Sequence, residues 1–281
     1  MRIAVTGASG KLGRSVVSHL RDVGNSVIAL DIVGERGPGF TQVDFTDYGQ
    51  TADALFSIND RHDGLDAVVH LAAAPAGGIL PDSRTFHNNM MATFNVFQGA
   101  RRAGIKRIVY ASSETVLGLP FLTPPPYIPV DEEYDTRPES VYSLTKHLEE
   151  QLAIKLVRWD PELSITALRF SNVMDPDDYA AFPAFDADPG LRKWNLWGYI
   201  DGRDGAQAVE KALALGKPGF EAYIIAAADT VMSRSSAELA AEVFPSVTVT
   251  KPLAENETLL SIDKARRDLG YAPQHSWRDH V

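Results

Sequence analysis

The sequence predicts an α/β protein with a doubly wound parallel sheet of Rossmann type and a small C-terminal lobe. Short apolar runs rich in β-branched residues alternate with longer stretches of helical periodicity. A glycine-rich loop joins the first of these runs to the first helical stretch. Such alternation over 281 residues is typical of a parallel sheet with helices on both faces, although length alone allows one domain or two.

Six strands and four helices are predicted in the first 170 residues. The strands are predicted at Arg2–Val5, Ser26–Leu30, Thr41–Val43, Ala67–Leu71, Arg107–Ala111 and Ser164–Arg169. The helices are predicted at Leu12–Val23, Tyr48–Ile58, Thr85–Arg102 and Val141–Val157. Gly24 and Gly104 follow the first and third helices, where glycine commonly ends a helix. Residues 1–170 are therefore expected to form a core, completed by elements within 199–227.

Composition excludes several classes of function. The net charge of −10 argues against binding to nucleic acid or to an anionic membrane, because both need concentrated Lys and Arg. Cysteine is absent, so neither a disulfide nor a Cys-ligated zinc site is possible, and no metal is expected. The first strand begins at once and no apolar run approaches 18 residues, so no signal peptide or membrane span is expected. We expect a cytoplasmic protein with a small-molecule ligand.

The glycine-rich loop between the first strand and the first helix has the sequence Thr6-Gly-Ala-Ser-Gly-Lys-Leu-Gly13. In a dinucleotide-binding loop, Gly7 would allow the tight turn, Gly10 the approach of a pyrophosphate, and Gly13 close packing of helix on strand. The helix N-terminus would add free N–H groups and a partial positive charge. A plain glycine-rich strand–turn–helix connection is the alternative. The expected cofactor contacts here are Gly7, Ser9, Gly10, Lys11, Leu12 and Gly13.

Asp31 ends the second predicted strand, 18 residues after Gly13. An acid about 20 residues beyond a glycine loop binds the ribose hydroxyls of NAD, and its charge would repel the 2′-phosphate of NADP. We therefore predict NAD as the cofactor, although Arg36 lies close enough to weaken that preference and Asp31 could be a solvated strand-end residue. Asp44 and Phe45, after the third strand, are expected beside the adenine.

Ser113, Tyr142 and Lys146 are the candidate catalytic residues. Tyr142 and Lys146 are four residues apart, so they share one face of a helix. The ammonium would lower the pKa of the phenol from about 10, so that Tyr142 could exchange a proton with a hydroxyl or carbonyl near neutral pH. Ser113 would orient the same oxygen, with Ser112 as the alternative. The Tyr-x-x-x-Lys pattern is weak alone, and its weight comes from its place after the glycine loop, the acid and the Ser-Ser strand end.

This order of motifs resembles the extended short-chain dehydrogenase/reductases, the NAD-dependent epimerase/dehydratase family. The resemblance covers nearly the whole chain, and its further motifs are His70-Leu-Ala-Ala73, Leu168-Arg-Phe-Ser-Asn172, Tyr199-Ile-Asp-Gly-Arg-Asp204 and a closing stretch that ends at Pro273. It implies additional cofactor contacts at Leu71, Ala72, Ala73, Asn88, Ala111 and Phe170. Phe170 would lie by the nicotinamide, with core packing as the alternative. The substrate contacts it implies are Ser112, Ser113, Asn172 and Arg192.

The segments outside the core are expected to form a small substrate-binding lobe from residues 171–198 and 228–281. The loop 119–139 would lie over the active site, because it joins Ser113 to Tyr142 and loops of this length are often functional. The compact layout resembles uronate dehydrogenases. Arg192 could then hold a carboxylate bidentately, and Trp194 or Trp197 could stack on a sugar, unless they belong to a structural surface loop.

Glu114 and Thr115 stand where dehydratases of the family carry an Asp–Glu pair for elimination. A dehydratase is therefore disfavoured, although Glu114 could still act as an acid or base. We expect an NAD-dependent oxidoreductase that transfers a hydride between nicotinamide and a hydroxyl or carbonyl of a sugar or sugar acid. An NAD-dependent (nucleotide-)sugar epimerase is the alternative. A non-catalytic NAD-sensing protein is a third possibility, disfavoured by the intact Tyr–Lys pair.

The resemblance also implies a homodimer formed by the third and fourth predicted helices, Thr85–Arg102 and Val141–Val157. The apolar face of the third helix would come from Phe86, Met90, Phe94 and Phe97, which recur at helical spacing. The alternative is that these four side chains pack on the sheet of their own chain.

Overall fold

The computed structural model describes residues 1–35, 37, 39–56, 63–121 and 123–280. In chain order the strands are β1 (Arg2–Thr6), β2 (Ser26–Asp31), β3 (Phe40–Gln42), β4 (Ala67–His70), β5 (Arg107–Ser113), β6 (Tyr127–Ile128), β7 (Ser164–Phe170), β8 (Val173–Met174), β9 (Ile200–Asp201), β10 (Gly219–Ile225) and β11 (Thr248–Val249). The helices are α1 (Lys11–Asp22), α2 (Tyr48–Leu55), α3 (Asp82–Arg102), α4 (Val141–Trp159), α5 (Gly202–Leu215), α6 (Ser236–Val243) and α7 (Asp263–Leu269).

A seven-stranded sheet of order β3-β2-β1-β4-β5-β7-β10 lies at the centre of the described structure, and every strand pair in it is parallel. The chain moves outward from β1 to β3 in one direction and from β4 to β10 in the other. The strand order therefore reverses between β1 and β4, which is where open α/β sheets bind ligands, beyond the carboxyl ends of the strands. The predicted doubly wound parallel sheet is confirmed.

The predicted strands agree with the observed ones to within two residues. The signal is clearest for strands such as β4 and β7, every residue of which is buried. Helix α1 buries Val16, Val17 and Leu20 and leaves its polar face to solvent, as its periodicity predicts. Helix α2 begins at Tyr48 behind its N-cap Asp47, and the predicted end of that helix lies outside the described residues.

The proline-rich loop 119–139 is bonded to the last part of the chain. Its short strand β6 pairs in parallel with β11, and the backbone of Val130 bonds to Leu259 and Ser261. Buried side chains from the C-terminal segments, among them Leu260 and Trp277, belong to the same apolar cluster as residues of β1. These contacts tie the loop to the C-terminal segments.

The apolar stripe of α3 divides between two environments. Phe97 is fully buried and packs edge-on against Tyr110 of β5, with ring centres 5.1 Å apart. Phe86 and Phe94 are 40% and 42% exposed, and Met90 is half-buried. Packing on the sheet therefore accounts for Phe97 and leaves Phe86 and Phe94 facing outward. Among the helices of the described residues, none combines the length and apolar character needed to cross a membrane.

Candidate active site

A cavity of about 1030 Å³ lies at the carboxyl ends of the central strands, where the strand order reverses. Its volume is at the upper end of the range typical of small-molecule and cofactor sites, roughly 300–1,000 Å³. All of the predicted cofactor-binding residues line it: Gly7, Ser9, Gly10, Lys11, Leu12, Gly13, Asp31, Asp44, Phe45, Leu71, Ala72, Ala73, Asn88, Ala111, Tyr142, Lys146 and Phe170. So do Ser112, Ser113 and Asn172, whereas Arg192 does not.

The glycine loop is shaped by two close approaches of backbone to backbone. Gly7 has φ +67°, and a Cβ there would lie 2.6 Å from the amide nitrogen of Ala72. A Cβ on Gly13 would lie 2.0 Å from the carbonyl oxygen of Gly7, so helix α1 could not pack this closely on β1 with any larger residue. Gly10 precedes α1 at its N-cap position, which leaves the first amides of that helix directed at the cavity wall.

Asp31 lies at the far end of this wall and is fixed by the glycine loop itself. Its Oδ2 accepts the backbone N–H of Ser9 at 2.8 Å, and its Oδ1 accepts that of Val33 at 3.3 Å. A carboxylate has further lone pairs, so Asp31 can still accept bonds from a ribose diol in the cavity. Asp44 accepts two bonds from Thr46, at 2.9 and 2.7 Å, in the neighbouring turn. Arg36 lies outside the described residues.

A buried hydrogen-bonded group supports the loop after β4. The hydroxyl of Thr6 lies 2.8 Å from Nδ1 of His70 and accepts the backbone N–H groups of Leu71 and Ala72, each at 3.2 Å. Burial, with a contribution from the charge on Lys146, lowers the pKa of His70 to about 3, so the imidazole is neutral. This group holds Leu71 and Ala72 against the cavity.

Ser113 and Tyr142 meet on the opposite wall, beside Lys146. Ser113 ends β5, while Tyr142 and Lys146 occupy the first turns of α4 behind the N-cap Ser140. The ammonium of Lys146 donates to the carbonyl oxygen of Ala111 at 2.8 Å and lies 6.0 Å from the centre of the Tyr142 ring. The predicted pair therefore shares one helix face, as the spacing of four residues requires.

The pKa of Tyr142 differs from the sequence-based expectation. Burial raises it, and although the charge on Lys146 and a hydrogen bond from Ser113 lower it, the pKa of Tyr142 lies above its ordinary value. The negative charge of Glu149, whose carboxylate lies 2.9 Å from the ammonium of Lys146, also raises the pKa of Tyr142. Burial lowers the pKa of Lys146, but Glu149, Tyr142 and Glu150 together outweigh burial, so the pKa of Lys146 is also raised. Lys146 lowers the pKa of the phenol, as the sequence predicts, but burial, which the sequence does not specify, outweighs that effect.

Ser112 and Ser113 face different partners. The hydroxyl of Ser112 donates to Glu150 Oε1 at 2.6 Å, and Glu150 also accepts Arg169 in a bidentate pair, at 3.0 and 2.8 Å. Ser113, in contrast, bonds to Tyr142 and accepts the hydroxyl of Thr115 at 3.0 Å. The geometry therefore favours Ser113 as the partner of Tyr142.

Trp194 is placed where the sequence allows it to contact a ligand, whereas Trp197 and Arg192 are not. Trp197 is fully buried and donates to the carbonyl oxygen of Pro189 at 2.9 Å, so it cannot stack on a ligand, whereas Trp194 lines the cavity. Arg192 is buried beside Trp194 and donates to the carbonyl oxygen of Gly198 at 3.0 Å. It does not line the cavity, because its guanidinium is held by the backbone of its own loop.

The parallel sheet and the cavity at its reversal of strand order are those of a dinucleotide-binding fold. The model of the NAD-dependent epimerase/dehydratase family matches residues 3–187. The chain belongs to this family of NAD-dependent enzymes.

Comparisons with individual proteins agree with this family membership. The UDP-glucose 4-epimerase of Bacillus subtilis (strain 168) is 29% identical over 217 residues, which cover 71% of this chain and 60% of that protein. The chain thus spans about three fifths of the length of that relative. A short-chain dehydrogenase/reductase superfamily protein of Agrobacterium tumefaciens, solved with bound NAD, has a TM-score of 0.74 at 24% identity over 100% of this chain and 94% of that one. A mutated uronate dehydrogenase has a TM-score of 0.68 at 23% identity, over 100% of this chain and 85% of that one.

NAD is the cofactor of this enzyme family, and the cavity has the residues to hold it. The amides of the glycine loop suit a pyrophosphate, Asp31 suits the adenosine ribose, and Tyr142 and Lys146 suit the nicotinamide end. When bound, NAD would supply a hydride acceptor or donor.

Proposed function

We propose that this protein transfers a hydride between NAD and a hydroxyl or carbonyl group of a sugar or sugar acid. The observation that carries the proposal is the meeting of Tyr142 and Ser113 on one wall of the cavity, with Lys146 buried beneath them and Asp31 at the far end. This arrangement has an acid/base and an oxygen-orienting hydroxyl where a substrate oxygen would lie. Family membership supports a sugar as the class of substrate.

In the oxidative direction, Ser113 donates a hydrogen bond that orients the substrate oxygen. Tyr142, as phenolate, removes the proton from that hydroxyl. The hydride that must leave the same carbon as the carbonyl forms would be taken up by NAD, which the glycine loop and Asp31 would hold. Lys146 stabilises the phenolate through its charge. In the reverse direction, Tyr142 returns the proton. The ammonium of Lys146 donates hydrogen bonds to the carbonyl oxygen of Ala111 and to the carboxylate of Glu149, which keep it in place in both directions of the reaction.

An NAD-dependent sugar epimerase is the second candidate, favoured by the similarity to UDP-glucose 4-epimerase. There the same three side chains would orient the sugar oxygen and move its proton, while NAD would take up the hydride and return it to the opposite face of the ketone. The two candidates differ in net turnover. A dehydrogenase accumulates NADH when NAD and substrate are in excess, whereas an epimerase retains its cofactor and shows no net change in NADH absorbance. Steady production of NADH from a panel of free and UDP-linked sugars is the expected result, and interconversion of two sugars without it would favour the epimerase.

We further propose that the enzyme is a homodimer that pairs through α3 and α4. Phe86 and Phe94 on α3 and Leu144 on α4 are exposed apolar side chains on these two helices, which pack against each other. Burying such residues in a two-fold interface would stabilise the pair. In the same proposal, the substrate binds between the residues 1–170 and a lobe made from 171–198 and 228–281, with the loop 119–139 over it.

A further inference from the structure

Four buried polar side chains meet beside the catalytic Ser113: Glu114, Ser171, Arg192 and Asn195. Their exposed fractions are 3%, 3%, 7% and 0%. Asn195 donates to Glu114 Oε1 at 3.2 Å, and Ser171 and Arg192 also act on the Glu114 carboxyl. The four therefore form one group, which we call the Glu114 cluster.

Each member of the Glu114 cluster has one buried atom that finds no hydrogen-bond partner in the described part of the chain. These atoms are Glu114 Oε2, Ser171 Oγ, Arg192 Nε and Asn195 Oδ1. Buried polar atoms in folded proteins are nearly always bonded, and leaving one unsatisfied costs on the order of 1–3 kcal/mol. Of these four atoms, those of Glu114 and Ser171 belong to residues that line the cavity, so a polar group of a ligand can meet them there.

The cluster reaches the cavity on one side only. Glu114 and Ser171 line the cavity, whereas Arg192 and Asn195 lie behind them and both donate to the carbonyl oxygen of Gly198, at 3.0 and 2.9 Å. Because Glu114 directly follows Ser113, a ligand group at the cluster would adjoin the carbon that reacts at Ser113 and Tyr142. The charge on Glu114 also acts on Tyr142.

The chemistry of the cluster suits a neutral hydroxyl better than a charged group. Glu114 Oε2 can accept a hydrogen bond from a ligand hydroxyl, while the Ser171 hydroxyl can donate to the same or an adjacent oxygen. The charges of Glu114 and Arg192 oppose each other, so the cluster has no net positive charge to attract an anion. A ligand carboxylate would place a second negative charge beside Glu114 in a desolvated site, which is unfavourable.

We propose that the Glu114 cluster is a substrate subsite for neutral hydroxyl groups next to the reacting carbon, and that Glu114 excludes a carboxylate from it. The inference rests on the proposed function in taking the ligand to be a sugar, and it narrows the class to neutral sugars in preference to sugar acids. Arg192, expected from the sequence to hold a substrate carboxylate, instead has its charge countered by Glu114.

The ionisation of Glu114 gives the subsite a dependence on pH. Burial raises the pKa of Glu114 to about 7, with Ser171, Asn195 and Arg192 opposing that rise. The titratable groups that face Glu114 are Arg192 and Tyr142. Both keep one charge state between pH 6 and 8, since burial raises the pKa of Tyr142 from its ordinary value and an arginine stays protonated. Glu114 is therefore mainly neutral at pH 6 and mainly anionic at pH 8, so exclusion of a carboxylate weakens at the lower pH.

The test is a calorimetric titration of the protein saturated with NADH, which cannot oxidise a hydroxyl. Two matched pairs are titrated at pH 8: glucose with glucuronate, and UDP-glucose with UDP-glucuronate, so that the two arms separate free from nucleotide-linked sugars. In whichever pair binds, we expect the dissociation constant of the neutral sugar to be at least about ten-fold lower than that of its acid. This is the scale of a like-charge penalty. In Glu114→Gln this preference should fall by about ten-fold or more, because Arg192 is then left without its counter-charge.

Glu162→Gln is the matched control, because Glu162 is 81% exposed and precedes β7 at the opposite edge of the sheet from the cavity. It should keep the ratio of the native protein. A native preference for the acid, an unchanged ratio in Glu114→Gln, or binding of neither pair would overturn the proposal. If Glu114→Gln fails to fold, the native protein is titrated at pH 6 and pH 8 instead. An equal ratio of the dissociation constants of acid and neutral sugar at both pH values would also overturn the proposal. The titration needs no turnover, so the two proposals can fail separately. If the protein shows the expected ratio but never reduces NAD, the proposed function is wrong and the proposed subsite still stands.

Discussion

The carboxylate of Glu149 lies 2.9 Å from the ammonium of Lys146, and both side chains are almost completely buried. Glu149 therefore partly neutralises the positive charge that Lys146 presents to Tyr142. An ammonium that is shared with a carboxylate stabilises the Tyr142 phenolate less than a free one does, and the negative charge of Glu149 also acts on the phenol directly. The acid/base at this site is therefore governed by three residues of α4.

Glu149→Gln should move the pH profile of oxidation toward lower pH. Oxidation needs the Tyr142 phenolate, so the rate rises with pH, and removal of a nearby anion stabilises the phenolate and lowers its pKa. We expect the rising limb of kcat against pH to shift by roughly one pH unit, the usual effect of one nearby charge. Steady-state NADH production between pH 6 and 10 measures it, with Glu162→Gln as the control. An unchanged limb, or a shift to higher pH, would show that Glu149 does not tune Tyr142.

Much of the fold and the cofactor wall could be predicted because their signals are local. A strand that is buried on both faces is a continuous apolar run, and the glycine loop needs small residues at fixed spacing. Asp31 follows from its distance to that loop. The lining of the cavity by all of these residues is a consequence of one topological fact, the reversal of strand order between β1 and β4.

The features that could not be predicted depend on burial or on side-chain direction. The raised pKa of Tyr142 comes from desolvation, which no sequence pattern specifies. The inward turn of Trp197 and Arg192 is set by bonds to the carbonyl oxygens of Pro189 and Gly198 in an irregular segment. The contact between Lys146 and Glu149 could have been predicted, because a glutamate three residues after a helical lysine lies on the same helix face.

Asp31→Asn should relax the preference of the protein for NAD over NADP. The asparagine oxygen can still accept the N–H of Ser9, so the loop keeps its shape, but the charge that opposes a 2′-phosphate is gone. We expect the ratio of the two dissociation constants to fall by about ten-fold or more. Calorimetric titration with both cofactors measures it. Asp22→Asn, at an exposed position on α1, serves as the control, and tighter binding of NADP by the native protein would contradict the assignment of Asp31.

Phe94→Glu should weaken the proposed dimer. Phe94 is 42% exposed on α3, and a charge placed in an apolar interface there would have to be desolvated on association. We expect light scattering at micromolar concentration to give a dimer mass for the native protein and a monomer mass for Phe94→Glu. Val23→Glu introduces the same charge at another exposed apolar position, after α1, and should remain dimeric. A native monomer would rule out the dimer.

Tyr142→Phe should abolish most turnover and leave binding of NAD nearly unchanged. The substitution removes only the hydroxyl that exchanges the substrate proton, and loss of a positioned acid/base typically reduces kcat by about 10²–10⁴-fold. The glycine loop and Asp31, which would hold the phosphates and the adenosine ribose, lie on the other wall of the cavity. Steady-state kinetics with a sugar that the native protein oxidises, together with calorimetric titration of NAD, measures both quantities.

Lys146→Met should impair both turnover and NAD binding, because the ammonium is also expected to reach the nicotinamide ribose. This difference separates the two residues: the phenol acts on the substrate proton, whereas the ammonium acts on the phenol and on the cofactor. Tyr48→Phe removes a hydroxyl from the surface of α2 and should change neither quantity. Near-native turnover in Tyr142→Phe would refute the acid/base assignment, and Glu114, the next titratable group on the cavity wall beside Ser113, would then be the residue to replace.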